Sequence, residues 1–282
     1  MSGQQTFDGA ASPTDHEAEA KRRASLEEDL TPGTIAGLVI EAAFEHVLAE
    51  RFAGQGSITA LDLCAGFGVW AQRLRAECVR RGVGAHIAGV EIDEGKHWHL
   101  RKWVDVAHIC DAHDALRSLR DHGPILDLVV SNPPFTMLVP KDHKGTIVEC
   151  VELCLPPQAL RIASAVLVFH TTTSLQRPRI GEECMRAYRP ALEIKIPGAV
   201  KFRGPGKNPA NGNAWTAAKD CYQATLWLRD RPGKRRDARG LTQTVLLRHL
   251  TAAERSWRTP PGAESPELAA ALGLTMAPGW TP

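Results

Sequence analysis

Apolar positions along this chain follow two rhythms, and the switches between them mark out its elements. Ile35, Leu38, Val39, Ala42, Ala43 and Val47 recur at helical steps, which predicts a helix opening at Thr31 and Pro32, with Thr31 as its cap and Pro32 in its first turn. Gly54 and Gly56 then release the chain into a short apolar run at 58–63, read as a buried strand. Residues 69–80 return to the helical rhythm through Val69, Trp70, Leu74 and Cys78, and strands follow at 86–92 and 104–109.

A fourth strand is predicted at 126–130 and a fifth at 164–169, separated by a helical stretch at 145–161 that Pro156 and Pro157 should interrupt. Residues 179–189 suggest a further helix, and 192–196 and 222–228 two further strands. Continuous apolar strands with helices between them describe a doubly wound, Rossmann-like α/β sheet. The expectation is seven strands, mostly parallel, with one antiparallel strand near the C-terminus. Beyond residue 229 the rhythm breaks: 231–240 is a basic linker, 241–255 reads as a helix, and a proline-punctuated tail follows. The implied organisation is a flexible tail at 1–30, one domain at 31–230, and a linker with C-terminal extension at 231–282. No internal repeat is visible.

Composition changes this picture little. With 282 residues and 43% hydrophobic content the chain can bury one large core, and 23% charged residues is ordinary for a soluble protein. Neither a secretory leader nor a bilayer-length apolar run is visible, so an intracellular, cytoplasmic and soluble protein is expected. The seven cysteines form no Cys-x-x-Cys pair and read as packing thiols. His97, His99, His108, His113 and Asp111 lack the compact spacing of a metal site, so no metal is expected.

Charge placement says more than net charge, which is only +2. Residues 1–30 hold seven acids against Lys21, Arg22 and Arg23, whereas 201–239 hold ten Lys or Arg against three Asp. Lys201, Arg203 and Lys207, with Lys234, Arg235, Arg236 and Arg239, are the candidate contacts to a polyanion, and a solvated basic loop is the plainer alternative.

The candidate chemistry gathers at strand ends. Residues 60–68 read Ala-Leu-Asp-Leu-Cys-Ala-Gly-Phe-Gly, a strand, a glycine turn and the start of a helix. Gly66 and Gly68 can admit a ligand close to backbone, and the helix start offers unpaired N–H groups. Asp62, in an apolar strand, is costly unless paired; it could organise the turn, approach a cationic cofactor, or merely cap. Glu91 ends the second strand, where a carboxylate can accept two ribose hydroxyls, with Asp93 as competitor. Asp111 follows the third strand and could accept from an adenine amine. The fourth strand ends in Ser-Asn-Pro-Pro-Phe at 131–135. There the Asn132 side-chain oxygen and the Pro133 carbonyl can each accept an N–H from one flat amine, while Phe135 can stack on its ring. A rigid turn with an aromatic plug is the plainer reading of the motif alone.

Taken in this order, the segments resemble those of the class I S-adenosylmethionine-dependent methyltransferases, most closely the amino-group DNA methyltransferases that act on adenine N6. Asp62 to Gly68, Glu91, Asp111 and 131–135 carry the resemblance, and Thr31-Pro32 resembles the segment ahead of the cofactor loop in the gamma arrangement; about residues 30–230 are covered. The resemblance implies S-adenosyl-L-methionine as cofactor. Glu91 would hold the ribose, Asp111 the adenine, and Gly66 and Gly68 the methionine side. Thr31, Pro32, Asp62, Cys64, Ala65, Ile92, Ala112 and Asn132 would also border that cofactor. The implied catalytic corner is Asn132, Pro133, Pro134 and Phe135, and the implied partner is double-stranded DNA, contacted in part through 197–220.

The Cys-Ala-Gly-Phe-Gly turn varies on the family's loop, and little chain remains for a large recognition domain. RNA amino-methylation, protein-glutamine methylation and an idle nucleic-acid-binding protein of the same fold therefore stand as alternatives. An NAD-dependent oxidoreductase is weaker, because the corner offers no hydride-transfer acid or base.

Overall fold

The computed structural model describes residues 31–133, 138–140, 147–150, 158–171, 190–198, 200–203, 215–217, 222–229 and 242–251. Its strands are β1 (Ser57–Leu63), β2 (Gly84–Glu91), β3 (Val106–Ile109), β4 (Leu126–Ser131), β5 (Leu138–Pro140), β6 (Ile147–Cys150), β7 (Ala163–Thr171), β8 (Pro190–Ile196), β9 (Lys201–Arg203), β10 (Trp215–Ala217), β11 (Tyr222–Leu228) and β12 (Gln243–Leu246). The principal helices are α1 (Gly33–Ala43), α2 (Val69–Arg80), α3 (His97–Leu100) and α4 (Ala112–His122).

Eight strands form the main sheet in the order β12-β8-β11-β7-β4-β1-β2-β3. β11 alone runs against its neighbours β7 and β8, as expected of one late antiparallel strand. The sheet has one strand more than expected. Residues assigned from sequence to a helix at 241–255 instead place β12 parallel on β8, pairing Gln243 with Leu192 and Leu246 with Lys195. Thr244 and Val245 are β-branched, which suits a strand, and the open edge of β8 supplied the backbone partners that decided the matter.

A second departure falls in 145–161. Ile147–Cys150 is a strand paired antiparallel with Leu138–Pro140, so tertiary pairing again overrode a helical reading. The helix expected at 179–189 lies outside the described residues. β9 and β10 form a separate antiparallel ribbon that aligns Lys201 with Ala217 and Arg203 with Trp215.

Side-chain alternation along the central strands builds two cores. Leu128 and Val130 of β4, with Ala165, Leu167 and Phe169 of β7, face the layer of α1 and α2, whereas Val129, Val166 and Val168 face Leu116 of α4 with Ala159 and Leu160. This is the two-residue strand period read as two buried faces. Each fully buried aliphatic side chain here stabilises the fold by roughly 1.5–3 kcal/mol relative to its exposed state. Val69, Trp70, Leu74 and Cys78 of α2 are buried, as their spacing predicted, and so are Ile35, Val39, Ala42 and Ala43 of α1. Arg75 locks α2 to the sheet edge: it donates to the Ala85 carbonyl at 3.2 Å and pairs with Asp105 at 3.0 Å.

Candidate functional site

The parallel strands β1, β2, β3 and β4 all end on one edge, and the sequence-predicted residues of the cofactor side and the Asn132 corner meet there. The turn after β1 is held in an unusual backbone. Cys64, Gly66 and Gly68 all have positive φ, at 60°, 57° and 82°. For Cys64 that conformation is uncommon in a residue with a Cβ, and it lies where the chain must reverse sharply off the strand.

The turn is clipped to β2 rather than left loose. Ala65 N–H donates to the Val90 carbonyl at 2.9 Å, and Gly66 N–H donates to Glu91 Oε2 at 2.7 Å. A Cβ on Gly68 would lie 3.0 Å from Trp103 Cδ1 and 3.2 Å from Leu100 Cδ1. Its missing side chain makes room for packing beneath the turn.

Each of the three predicted carboxylates is tied to backbone amides. Asp62 is fully buried, and its Oδ2 accepts from Ala71 N–H in the first turn of α2 at 2.9 Å. It thereby organises the helix start from within the strand. Burial pushes its carboxyl well above the ordinary range; the Ala71 bond pulls the other way, and nearby Glu91 raises it further. Glu91, also buried, accepts through its second oxygen from Asp93 N–H at 3.0 Å, and Lys96 Nζ lies 3.8 Å away. Asp93 caps the following turn by accepting from Gly95 N–H at 2.9 Å. Asp111 caps α4 by accepting from His113 N–H at 2.7 Å.

Cys64, half-buried within this ring of acids, has its thiol pushed far up, first by desolvation and then by Glu91 and Asp111. Ile92, Asp111 and Ala112 are half-buried at the same edge, and Ala65 is buried.

β4 brings the Asn132 corner alongside. Ser131 Oγ donates to the Leu63 carbonyl at 2.7 Å, stitching the ends of β4 and β1 together. Asn132 is half-buried and Pro133 buried, while Pro134 and Phe135 lie outside the described residues.

Thr31 differs from its expected part. Pro32 is the capping residue of α1 and makes no side-chain cap bond. The Thr31 hydroxyl instead accepts from Asn132 Nδ2 at 2.7 Å and from Trp70 Nε1 at 3.3 Å. Sequence reading missed this pairing, and Trp70 with it, because 101 and 39 residues separate the partners. No local signal marks such an interaction.

Of the predicted polyanion contacts, Lys201 and Arg203 lie on β9; Lys207, Lys234, Arg235, Arg236 and Arg239 fall outside the described residues. Among the described residues no cluster of His, Cys, Asp or Glu could hold a metal ion, and no helix is long and apolar enough to cross a membrane.

The edge can accommodate an adenosyl group on chemical grounds. A carboxylate carries more acceptor sites than the one or two N–H groups that Glu91 and Asp111 hold, so both can accept further hydrogen bonds from hydroxyl or amine donors.

No protein-family profile and no curated protein matches the chain. Among solved structures, it is similar to a candidate class I S-adenosylmethionine-dependent methyltransferase from Listeria monocytogenes, with a TM-score of 0.55 and 12% identity over 86% of this chain and 69% of that one. It is also similar to the methyltransferase subunit of a type I restriction-modification system from Streptococcus thermophilus, with a TM-score of 0.53 and 14% identity over 77% of this chain and 48% of that one. Strand order, the single antiparallel strand and these neighbours agree: the chain has the class I methyltransferase fold.

Proposed function

We propose that this protein transfers a methyl group from S-adenosylmethionine to an exocyclic amine of a nucleic-acid base, and that its substrate is adenine in DNA, methylated at N6. The observation that carries this reading is the position of Asn132 and Pro133, at the end of β4 and stitched through Ser131 to the strand that opens the glycine turn.

An aromatic amine is a weak nucleophile because its lone pair is delocalised into the ring. Acceptors that hold both of its N–H bonds favour the state in which the nitrogen becomes tetrahedral and the lone pair is released. The Asn132 amide oxygen and the Pro133 carbonyl supply two such acceptors. Proline leaves that turn without an N–H of its own and holds φ near −65°. A stacking role for Phe135 on the base would contribute roughly 1–3 kcal/mol of binding.

The cofactor, when bound, supplies an electrophilic methyl group on a sulfonium. Glu91 would accept from its ribose hydroxyls and Asp111 from its adenine amine. Cys64, Ala65, Gly66, Gly68, Ile92 and Ala112 border it, and Asp62 acts from behind by fixing the start of α2. No strong base is needed before attack, since methylation itself makes the departing proton acidic and water can take it.

A base within a duplex cannot reach a sheet edge, so a DNA substrate must present its adenine flipped out. Ten cations in 201–239, with Lys201 and Arg203 on β9, favour a polyanionic acceptor, and the restriction-modification neighbour shares the fold.

The test is transfer of radiolabelled methyl to duplex DNA, single-stranded DNA, RNA and protein, followed by digestion and identification of the modified unit. N6-methyladenine from DNA is expected. Label in RNA adenine or in protein glutamine would move the substrate to one of those classes, and cofactor binding without any transfer would overturn the catalytic reading.

A further inference from the structure

We infer that Thr31 is a positioning residue for Asn132 and not a cofactor contact: its buried hydroxyl holds the asparagine side-chain nitrogen and so sets which end of the amide meets the acceptor amine. This rests on the catalytic reading of Asn132 above.

A side-chain amide has nearly the same shape after a half-turn about its last torsion, but the half-turn exchanges an acceptor for two donors. The exchange decides function at this corner. With oxygen forward, Asn132 accepts from the substrate amine; with nitrogen forward, two N–H groups would face two N–H groups. Shape alone cannot choose between these states, so hydrogen-bond partners must.

Thr31 is well placed to choose. It is 2% exposed, so its bonds lie away from competing water and are correspondingly stronger. Its Oγ1 accepts from Asn132 Nδ2 at 2.7 Å and from Trp70 Nε1 at 3.3 Å. The indole N–H can only donate; with it and Asn132 Nδ2 on the two acceptor sites of the hydroxyl oxygen, the Thr31 O–H points away from both, and an Asn132 turned oxygen-first would meet Thr31 only if that proton swung round to it.

Trp70 in turn is buried in the first turn of α2, its ring 5.8 Å from that of Phe169 on β7. The hydroxyl is thereby fixed relative to the core, and the amide relative to the hydroxyl. A β-branched residue adds stiffness about χ1 that serine lacks. Three segments distant in sequence, the residue before Pro32, the start of α2 and the end of β4, meet at one oxygen atom.

The experiment compares Thr31→Val, which keeps the shape and removes the hydroxyl, with Thr31→Ser, which keeps the hydroxyl. Turnover and cofactor Kd are measured in the full-length protein, alone and combined with Asn132→Ala. The expected result for Thr31→Val is a fall in turnover of about 10- to 100-fold, the scale for a misplaced catalytic group, with cofactor Kd within about twofold. Thr31→Ser should recover most of the turnover, and in the Asn132→Ala background Thr31→Val should cost almost nothing more.

Equal losses of turnover and cofactor affinity, or losses that multiply in the double variant, would overturn the inference. A second readout does not depend on activity. In protein labelled with 15N-asparagine, the Asn132 side-chain protons should exchange slowly with solvent and become fast in Thr31→Val, or in Thr31→Ala should the valine variant not fold. Unchanged exchange would overturn the inference. Full turnover in Asn132→Ala would sink the catalytic reading instead, and the exchange measurement would still decide whether Thr31 holds the amide.

Discussion

The two halves of the strand-end edge are held together by different means. On the cofactor side, each carboxylate is fixed by backbone N–H groups close to it in sequence: Asp111 by His113, Glu91 by Asp93, and Asp62 by Ala71 nine residues on. Only the Gly66 bond to Glu91 spans as many as 25 residues. On the acceptor side, Asn132 is held by a side chain 101 residues away, and that side chain by a tryptophan from a third element. A pocket braced by its own loops forms wherever its strands pair; a corner braced across the fold forms only when the whole domain has closed. Cofactor binding and turnover should therefore be separable by mutation.

The sharpest way to break that comparison is Asn132→Ala. Turnover should fall by about 100-fold or more, the scale for losing a preorganised hydrogen-bond partner of the reacting group, while cofactor Kd measured by calorimetry stays within about threefold. Comparable losses in both would merge the two halves into one unit. Glu91→Ala is the converse. Loss of hydrogen bonds to a charged group, about 1.5–3 kcal/mol, should weaken cofactor binding by about 10- to 100-fold, with turnover at saturating cofactor much less affected.

A smaller effect tests the acceptor side at a distance. Replacing Lys234, Arg235, Arg236 and Arg239 together by serine should weaken DNA binding at low salt and reduce the slope of log affinity against log salt by about 0.9 for each phosphate no longer neutralised. An unchanged slope would remove the linker from the DNA path.

The smallest effect concerns Asp62, which belongs to the framework. A carboxyl whose folded pKa is raised gives its full contribution to stability at pH below its unfolded value, and loses it as pH climbs through the raised folded value. The amide introduced by Asp62→Asn keeps an oxygen for Ala71 N–H and never ionises. The melting temperature of Asp62→Asn relative to the natural protein should thus rise by a few degrees between acid and mildly alkaline pH. A difference independent of pH would mean that Asp62 carries no such penalty.

Much of this architecture was legible from residues alone, for reasons that differ by element. The central strands announced themselves because a parallel strand buried on both faces must be apolar throughout, as in Leu128, Val129 and Val130. The glycine turn was legible because positive φ at Gly66 and Gly68 favours that residue type. The edges were not. Residues 243–246 and 147–150 read as parts of helices, and each is a strand because a partner backbone lay within reach. Helix α4 was not read from its own residues, and its start depends on Asp111 serving as cap as well as candidate cofactor contact.

Sequence by itself determined the alternation of strands and helices, the glycine turn, and the identities of the acids and the asparagine at the strand ends, since backbone geometry and burial impose those choices locally. Tertiary structure alone decided that Thr31 faces Asn132 instead of capping its own helix, that Gly68 makes room for Trp103, and that the sheet gains an eighth strand. A hydrogen bond across 101 residues leaves no periodicity, spacing or composition behind it, and it exists only where packing brings the two groups together.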